Sequence, residues 1–136
     1  MKATATYSVV QWKEDPWQTI SPEMRMTKAS VEYALKGDIE AKVTEEYLMF
    51  YEYFDAKDQH KSSAEYIGMM RLEGKVAGKS GSFALDDSGF FEGGAAFSTL
   101  RILDGSGTGE LKGITGTGKY RADPKGNQFE LEYQLG

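Results

Sequence analysis

The sequence contains no cysteine and one histidine, His60. Without thiols there can be no disulfide, thiolate nucleophile, zinc ribbon or iron–sulfur cluster, and a lone imidazole removes His-rich metal sites. No metal and no cofactor is therefore expected. Basic residues are also scarce, 16 Lys and Arg against 21 Asp and Glu, for a net charge of −5 and no basic run. That balance argues against nucleic acid, where phosphate neutralisation supplies most of the affinity, and against anionic membrane surfaces. No stretch of about 18 apolar residues occurs. The start, Met1-Lys2-Ala3-Thr4-Ala5-Thr6-Tyr7, lacks the apolar centre of a secretory signal, so a cytoplasmic location is expected. Proline is rare, and the first 60 residues contain one glycine, Gly37, whereas 14 of the 16 glycines lie between Gly68 and Gly126.

What is present suits a single globular domain, residues 1–136. Apolar residues make up 40%, with 2 Trp, 8 Tyr and 7 Phe, and a chain of this length buries roughly two-thirds of its surface on folding. Short aromatic or β-branched runs separated by turn residues suggest an all-β sandwich or barrel. Lys2 to Lys13 reads as a first strand, and Glu14-Asp15-Pro16 as the start of a loop. From Met24 to Lys36, Thr27, Ala29, Val31, Tyr33 and Leu35 alternate with polar residues, and Gly37-Asp38 reads as a hairpin turn. In the run Ile39 to Phe54, Ile39, Ala41, Val43, Tyr47, Met49, Tyr51 and Tyr53 share one face. Helical spacing also fits Val43, Tyr47, Phe50, Tyr51 and Phe54, but period 2 holds over the longer span, which favours a strand. Ala64 to Val76 follows a polar loop. Lys79 to Asp86 and Phe90 to Leu103 read as strands joined by a turn at Asp87-Ser88-Gly89, and Lys119 to Ala122 and Gln128 to Leu135 bring the count to about eight. Eight mostly antiparallel strands joined in order by short turns close most naturally into a barrel without free edges.

Known catalytic patterns fail on their chemistry. Gly113, Gly118 and Lys119 fit G-x-x-x-x-G-K, but Tyr120 stands where a Ser or Thr hydroxyl is needed, and Arg121-Ala122-Asp123-Pro124 cannot continue a helix. No serine lies in G-x-S-x-G, and His60 sits in a polar loop. Glu45-Glu46 and Asp86-Asp87 are paired carboxylates in sequence only, since neighbours on a strand point to opposite faces. Glu46 and Arg71 read as surface charges.

The stretch Gly105-Ser106-Gly107-Thr108-Gly109-Glu110-Leu111-Lys112-Gly113-Ile114 resembles a hallmark of a family of small, uncharacterised bacterial proteins known only as a domain of unknown function. Gly37-Asp38-Ile39-Glu40, Glu46-Tyr47-Leu48-Met49, Gly68 with Arg71 and Gly74, Gly78-Lys79-Ser80-Gly81-Ser82-Phe83 and Leu131-Glu132-Tyr133 extend the resemblance over nearly the whole chain. It implies a barrel similar to that of plant allene oxide cyclases. The family usually has an acidic residue before the fourth-strand arginine, where Met70 stands here, and no catalytic residue is carried over.

Glu45 is the informative residue, because it interrupts an apolar, Tyr-rich face, where a carboxylate costs several kcal/mol unless paired or neutralised. It would lie near a wet barrel mouth, or be satisfied by Tyr hydroxyls or an inward Arg25, or be a pocket group whose pKa burial raises. By parity Arg25 is the best inward cation. The expected function is binding of a small, largely apolar molecule inside the barrel, lined by Tyr33, Tyr47, Met49 and Tyr51, with Glu45 or Arg25 orienting a polar end. Two alternatives remain: a cofactor-free isomerase or cyclase in the same cavity, and a filled barrel that acts by self-association. Trp12, Leu48, Phe50 and Phe54 fall on outward faces, which suggests a homo-oligomer, most simply a dimer.

Overall fold

A computed structural model describes residues 1–136. Its strands are β1 (Lys2–Thr19), β2 (Arg25–Gly37), β3 (Ile39–Tyr53), β4 (Ser63–Val76), β5 (Lys79–Glu92), β6 (Ala95–Ile102), β7 (Thr108–Gly109), β8 (Thr115–Asp123) and β9 (Gly126–Gln134). The one helical element is a single 3-10 turn, Gln59–Lys61. No helix is long and apolar enough to cross a membrane.

All pairings are antiparallel, and eight strands close a ring in the order β1-β2-β3-β4-β5-β6-β8-β9, with β9 returning to β1. The two-residue β7 adds to the start of β5 through Gly81↔Gly109 and Ser82↔Thr108. Alternation decides what faces inward. On β2 these are Thr27, Ala29, Val31, Tyr33 and Leu35, and on β4 Ala64, Tyr66, Met70, Leu72 and Val76, all buried. One end of the ring is plugged by Leu35, Ile39, Val76 and Phe83, with Leu111 and Ile114 from the segment between β6 and β8 folded over them. The other end, where Tyr51, Ala64, Phe91, Ala96 and Ala122 lie in cross-strand register, stays open.

Four local expectations change. First, β1 does not stop at Lys13. It runs through Glu14-Asp15-Pro16 to Thr19, with register shifts between Val9 and Gln11 and between Pro16 and Gln18. Pro16 is tolerated because β9 pairs with β1 only from Lys2 to Ala5, leaving that edge without a ladder to interrupt. The Asn127 side chain extends this edge by one step, accepting from Tyr7 N at 2.8 Å and donating to Tyr7 O at 3.0 Å. Second, the extra residue at Val10 reverses the alternation, so Trp12 and Glu14 lean over the open end of the ring. The outward position expected for Trp12 is thereby corrected.

Third, a shift between Tyr51 and Tyr53 turns Tyr53 out, 44% exposed, and brings Phe54 back edge-on against Tyr51, with ring centroids 5.2 Å apart. Phe54 is not an outward residue, and Tyr53 is not an inward one. Fourth, Asp87-Ser88-Gly89 is not a turn but the middle of β5. The chain reverses instead at Gly93-Gly94, whose φ values of 62° and 79° suit the two central residues of a tight hairpin. The glycine run from Gly113 likewise leads into strand β8, so no helix N-terminus is formed for a phosphate.

Candidate functional site

β3, β4 and β5 are consecutive neighbours, and their register sets Glu45 opposite Met70, Tyr47 opposite Gly68, and Gly68 opposite Asp87. Glu45 and Asp87 are 2% and 3% exposed. They sit on strands separated by β4, and at the crossing point β4 carries no side chain. A Cβ on Gly68 would stand 2.6 Å from Glu45 Oε2 and 3.0 Å from Tyr47 Cδ1. The space left by that missing carbon lets the Glu45 carboxyl reach over β4 to Asp87.

The Tyr33 hydroxyl donates to Glu45 Oε1 at 2.7 Å. Glu45 Oε2 and Asp87 Oδ1 are buried, and no N–H or O–H of another residue bonds to either. As two carboxylates neither could donate to the other. With one proton on Glu45, the side chains form an O–H···O bond that satisfies both. Burial pushes the Glu45 carboxyl up to about 10, the Asp87 charge adds to that, and the Tyr33 and Tyr47 hydroxyls oppose it. Burial also raises Asp87, opposed by hydrogen bonds involving Glu45, Ser98 and Tyr47. The two titrate as a coupled pair, with Glu45 keeping its proton at neutral pH. Glu45 is therefore interior, not at a wet mouth.

One rung nearer the open end, the Tyr66 hydroxyl is 2.6 Å from Ser98 Oγ, beneath a Gly89 that leaves room for it. Tyr66 meets Tyr47 edge-to-face at 5.3 Å, and Trp12 stacks over Tyr47 at 6.1 Å. Tyr7 and Tyr120 pack at 4.9 Å on the opposite wall. Burial raises the phenol pKa of Tyr47, Tyr66 and Tyr120, so all stay protonated donors. Between these walls is a cleft of about 350 Å³ that opens at the unplugged end, with the exposed His60 at its rim. Glu14 ties the walls together. Its Oε1 accepts from Trp12 Nε1 at 3.0 Å, and its Oε2 accepts from the Tyr51 hydroxyl at 2.8 Å and Thr27 Oγ1 at 2.7 Å.

Of the residues expected from sequence, Tyr33 and Glu45 are hydrogen-bonded beneath the cleft, and Tyr47, Met49 and Tyr51 line it. Arg25 stands apart from Glu45. Its guanidinium lies 3.9 Å over the Phe54 ring and its Nη2 donates to Pro22 O, at the end of β2 where Arg25 faces Tyr51. An Arg25–Glu45 pair does not form, because the register places Glu45 opposite Val31, six residues along β2. Sequence reasoning missed Asp87, taken for a turn residue, and Trp12 and Glu14, whose parity the Val10 bulge reverses. The available signal for Asp87 was its place in an acidic doublet beside apolar Leu85. Glu46 and Arg71 are exposed, in contact with Ser30 and Glu73 respectively.

A search of curated proteins finds no match. Among solved structures, a protein of unknown function from the DUF3224 family of Shewanella oneidensis MR-1 superposes with a TM-score of 0.74. It is 23% identical, and the match covers 100% of this chain and 97% of that one, a likeness of fold. The family described as Protein of unknown function (DUF3224) matches residues 3–135. Spanning all but the terminal residues of the sequence, that match establishes that the chain belongs to this family.

Proposed function

We propose that the protein binds a small, largely apolar molecule in the cleft at the open end of the ring. The observation that carries this reading is the cleft itself: about 350 Å³, walled by Trp12, Met49, Tyr51, Phe91 and Tyr120, with phenol donors at its base. This combination of apolar walls and a few polar groups is the usual build of a small-molecule site. Trp12 at the mouth is also a natural reporter. In a Trp17→Phe background it is the only indole, and titration with the neutral apolar dye N-phenyl-1-naphthylamine should quench it saturably at one dye per chain. Ala122→Phe, which narrows the mouth, should abolish the effect. A quench that rises linearly without saturation, or that survives Ala122→Phe, would remove the reading.

The Glu45–Asp87 pair favours a second reading in the same cavity, a cofactor-free isomerase or cyclase. A carboxyl pair with one mobile proton, linked to the cleft through Tyr47, can give and take a proton in turn. Tyr47 would be the group touching the substrate, with the pair positioned behind it. Deuterium exchange next to the carbonyl of a bound cyclic ketone, lost in Glu45→Gln while dye binding persists, tests this reading. Exchange no faster than in buffer would reject it.

A further inference from the structure

We infer that the cleft is built for an organic ammonium group, a quaternary or protonated amine carried on an apolar body, seated against the rings of Trp12, Tyr47 and Tyr66. The inference rests on the binding reading above and names the ligand class.

Three features of the cleft converge on it. The first is the concentration of aromatic rings along its wall. Trp12 and Tyr47 stack at 6.1 Å with 29° between their planes, Tyr66 stands edge-on to Tyr47 at 5.3 Å, and Tyr51 completes the wall. Aromatic faces carry the negative end of a quadrupole, and a wall rich in rings attracts quaternary ammonium groups more than it attracts neutral or anionic ones.

The second is the sign of the fixed charge. Glu14 lines the cleft with its carboxylate saturated by Trp12, Tyr51 and Thr27 donors, and Asp123 lies at the rim, paired with Arg121 at 3.2 Å. No Lys or Arg is among the lining residues, and His60 is the one imidazole there. Arg25, the nearest cation to Tyr51, is occupied over Phe54 and with Pro22 O.

The third lies beneath the aromatic floor. Asp87, on the same rung as Tyr47 and Gly68, is 97% removed from solvent. Apart from the proton it shares with Glu45, its Oδ1 has no donor, and no cation faces either carboxyl. Beneath the rings there is thus acidic oxygen and no counter-cation, at a site where electrostatic interactions are little screened by water. An anion entering the cleft meets Glu14, the acidic floor beneath the rings and a chain of net charge −5. A neutral ligand leaves all of it uncompensated. An ammonium answers both the ring quadrupoles and the carboxylates.

The test compares benzyltrimethylammonium, its uncharged isostere neopentylbenzene, and an anion of similar size, 4-tert-butylbenzoate. Each is titrated against the Trp17→Phe protein by Trp12 emission, with N-phenyl-1-naphthylamine as the neutral reference. The ammonium should bind at least about tenfold more tightly than the isostere, and the anion most weakly. The preference should shrink in high salt. Trp12→Leu, followed by calorimetry, should lower ammonium affinity more than isostere affinity. Trp12 is 48% exposed, so its truncation leaves the core intact. Equal affinities for ammonium and isostere, or tightest binding of the anion, would overturn the ligand class while leaving apolar binding in place. Failure of all three and of the dye would overturn both.

Discussion

Glu45→Gln offers the sharpest thermodynamic test, because the buried acid makes folding take up a proton. In the unfolded chain the Glu45 carboxyl releases its proton near its ordinary value of 4.5, whereas in the folded ring burial holds that proton up to about 10. A carboxyl whose folded pKa is raised stabilises the fold least where the unfolded chain is ionised. Stability from this group is therefore complete below about 4.5 and declines as pH rises toward 10. Each unit of that interval costs about 1.4 kcal/mol, so the penalty accumulated by pH 7 is on the order of 3 kcal/mol. Asp87, raised by the same burial, acts in the same direction.

Glutamine has the shape of the protonated acid. Its oxygen can accept from the Tyr33 hydroxyl, and its amide can donate to Asp87 where the proton now sits. The variant should match the wild type at pH 5 to within about 1 kcal/mol and exceed it by about 3–4 kcal/mol at pH 7.5. Urea titrations at pH 5, 6, 7 and 7.5 give both curves, and their difference isolates the Glu45–Asp87 pair from the other titrating residues. A difference that stays constant across the range would refute the shared proton. A variant weaker than wild type by about 3 kcal/mol throughout would show that a charged Glu45 is bound to a cation.

Gly68→Ala should destabilise by roughly 1–3 kcal/mol, since its methyl falls 2.6 Å from Glu45 Oε2 and must displace the carboxyl from Asp87; a loss of the pH slope alongside the drop would be seen in the same urea series. Tyr33→Phe strips Glu45 Oε1 of its donor and should cost about 1–2 kcal/mol, with the slope against pH between 5 and 7.5 retained, because the Glu45 proton is already fully held across that range; an unchanged midpoint would contradict it. Leu48, Ile67, Met69, Phe90 and Phe97 form an exposed apolar surface across the outer faces of β3 to β6, for which we propose self-association into a dimer. Light scattering should return twice the 15.1 kDa chain mass, and Ile67→Glu should halve it; the chain mass alone across a wide concentration range would dismiss the dimer.

Strand patterning that depends only on neighbours along the chain was legible in advance. β2, β3, β4 and β9 bury alternate residues because the pleat has period 2, and Glu45 stood out as the one acid on a buried face for the same reason. The turn at Gly37-Asp38 was legible too, since Gly37 adopts a φ of 139° that side chains resist. Bulges are different in kind. Those after Val9 and Tyr51 arise from how a strand registers with its partner, so nothing local announces that Trp12, Glu14 and Phe54 turn inward while Tyr53 turns out. Asp87-Ser88-Gly89 has turn composition, and only ladders on both sides of β5 hold it extended. The meeting of Glu45 with Asp87 needs still more: three strands in fixed register and a missing Cβ at Gly68 between them. Composition and period dictated an aromatic-lined antiparallel sheet with a carboxylate in its face. The register of β3, β4 and β5 decided which second carboxylate it would meet, because that contact joins residues 42 positions apart whose proximity nothing local encodes.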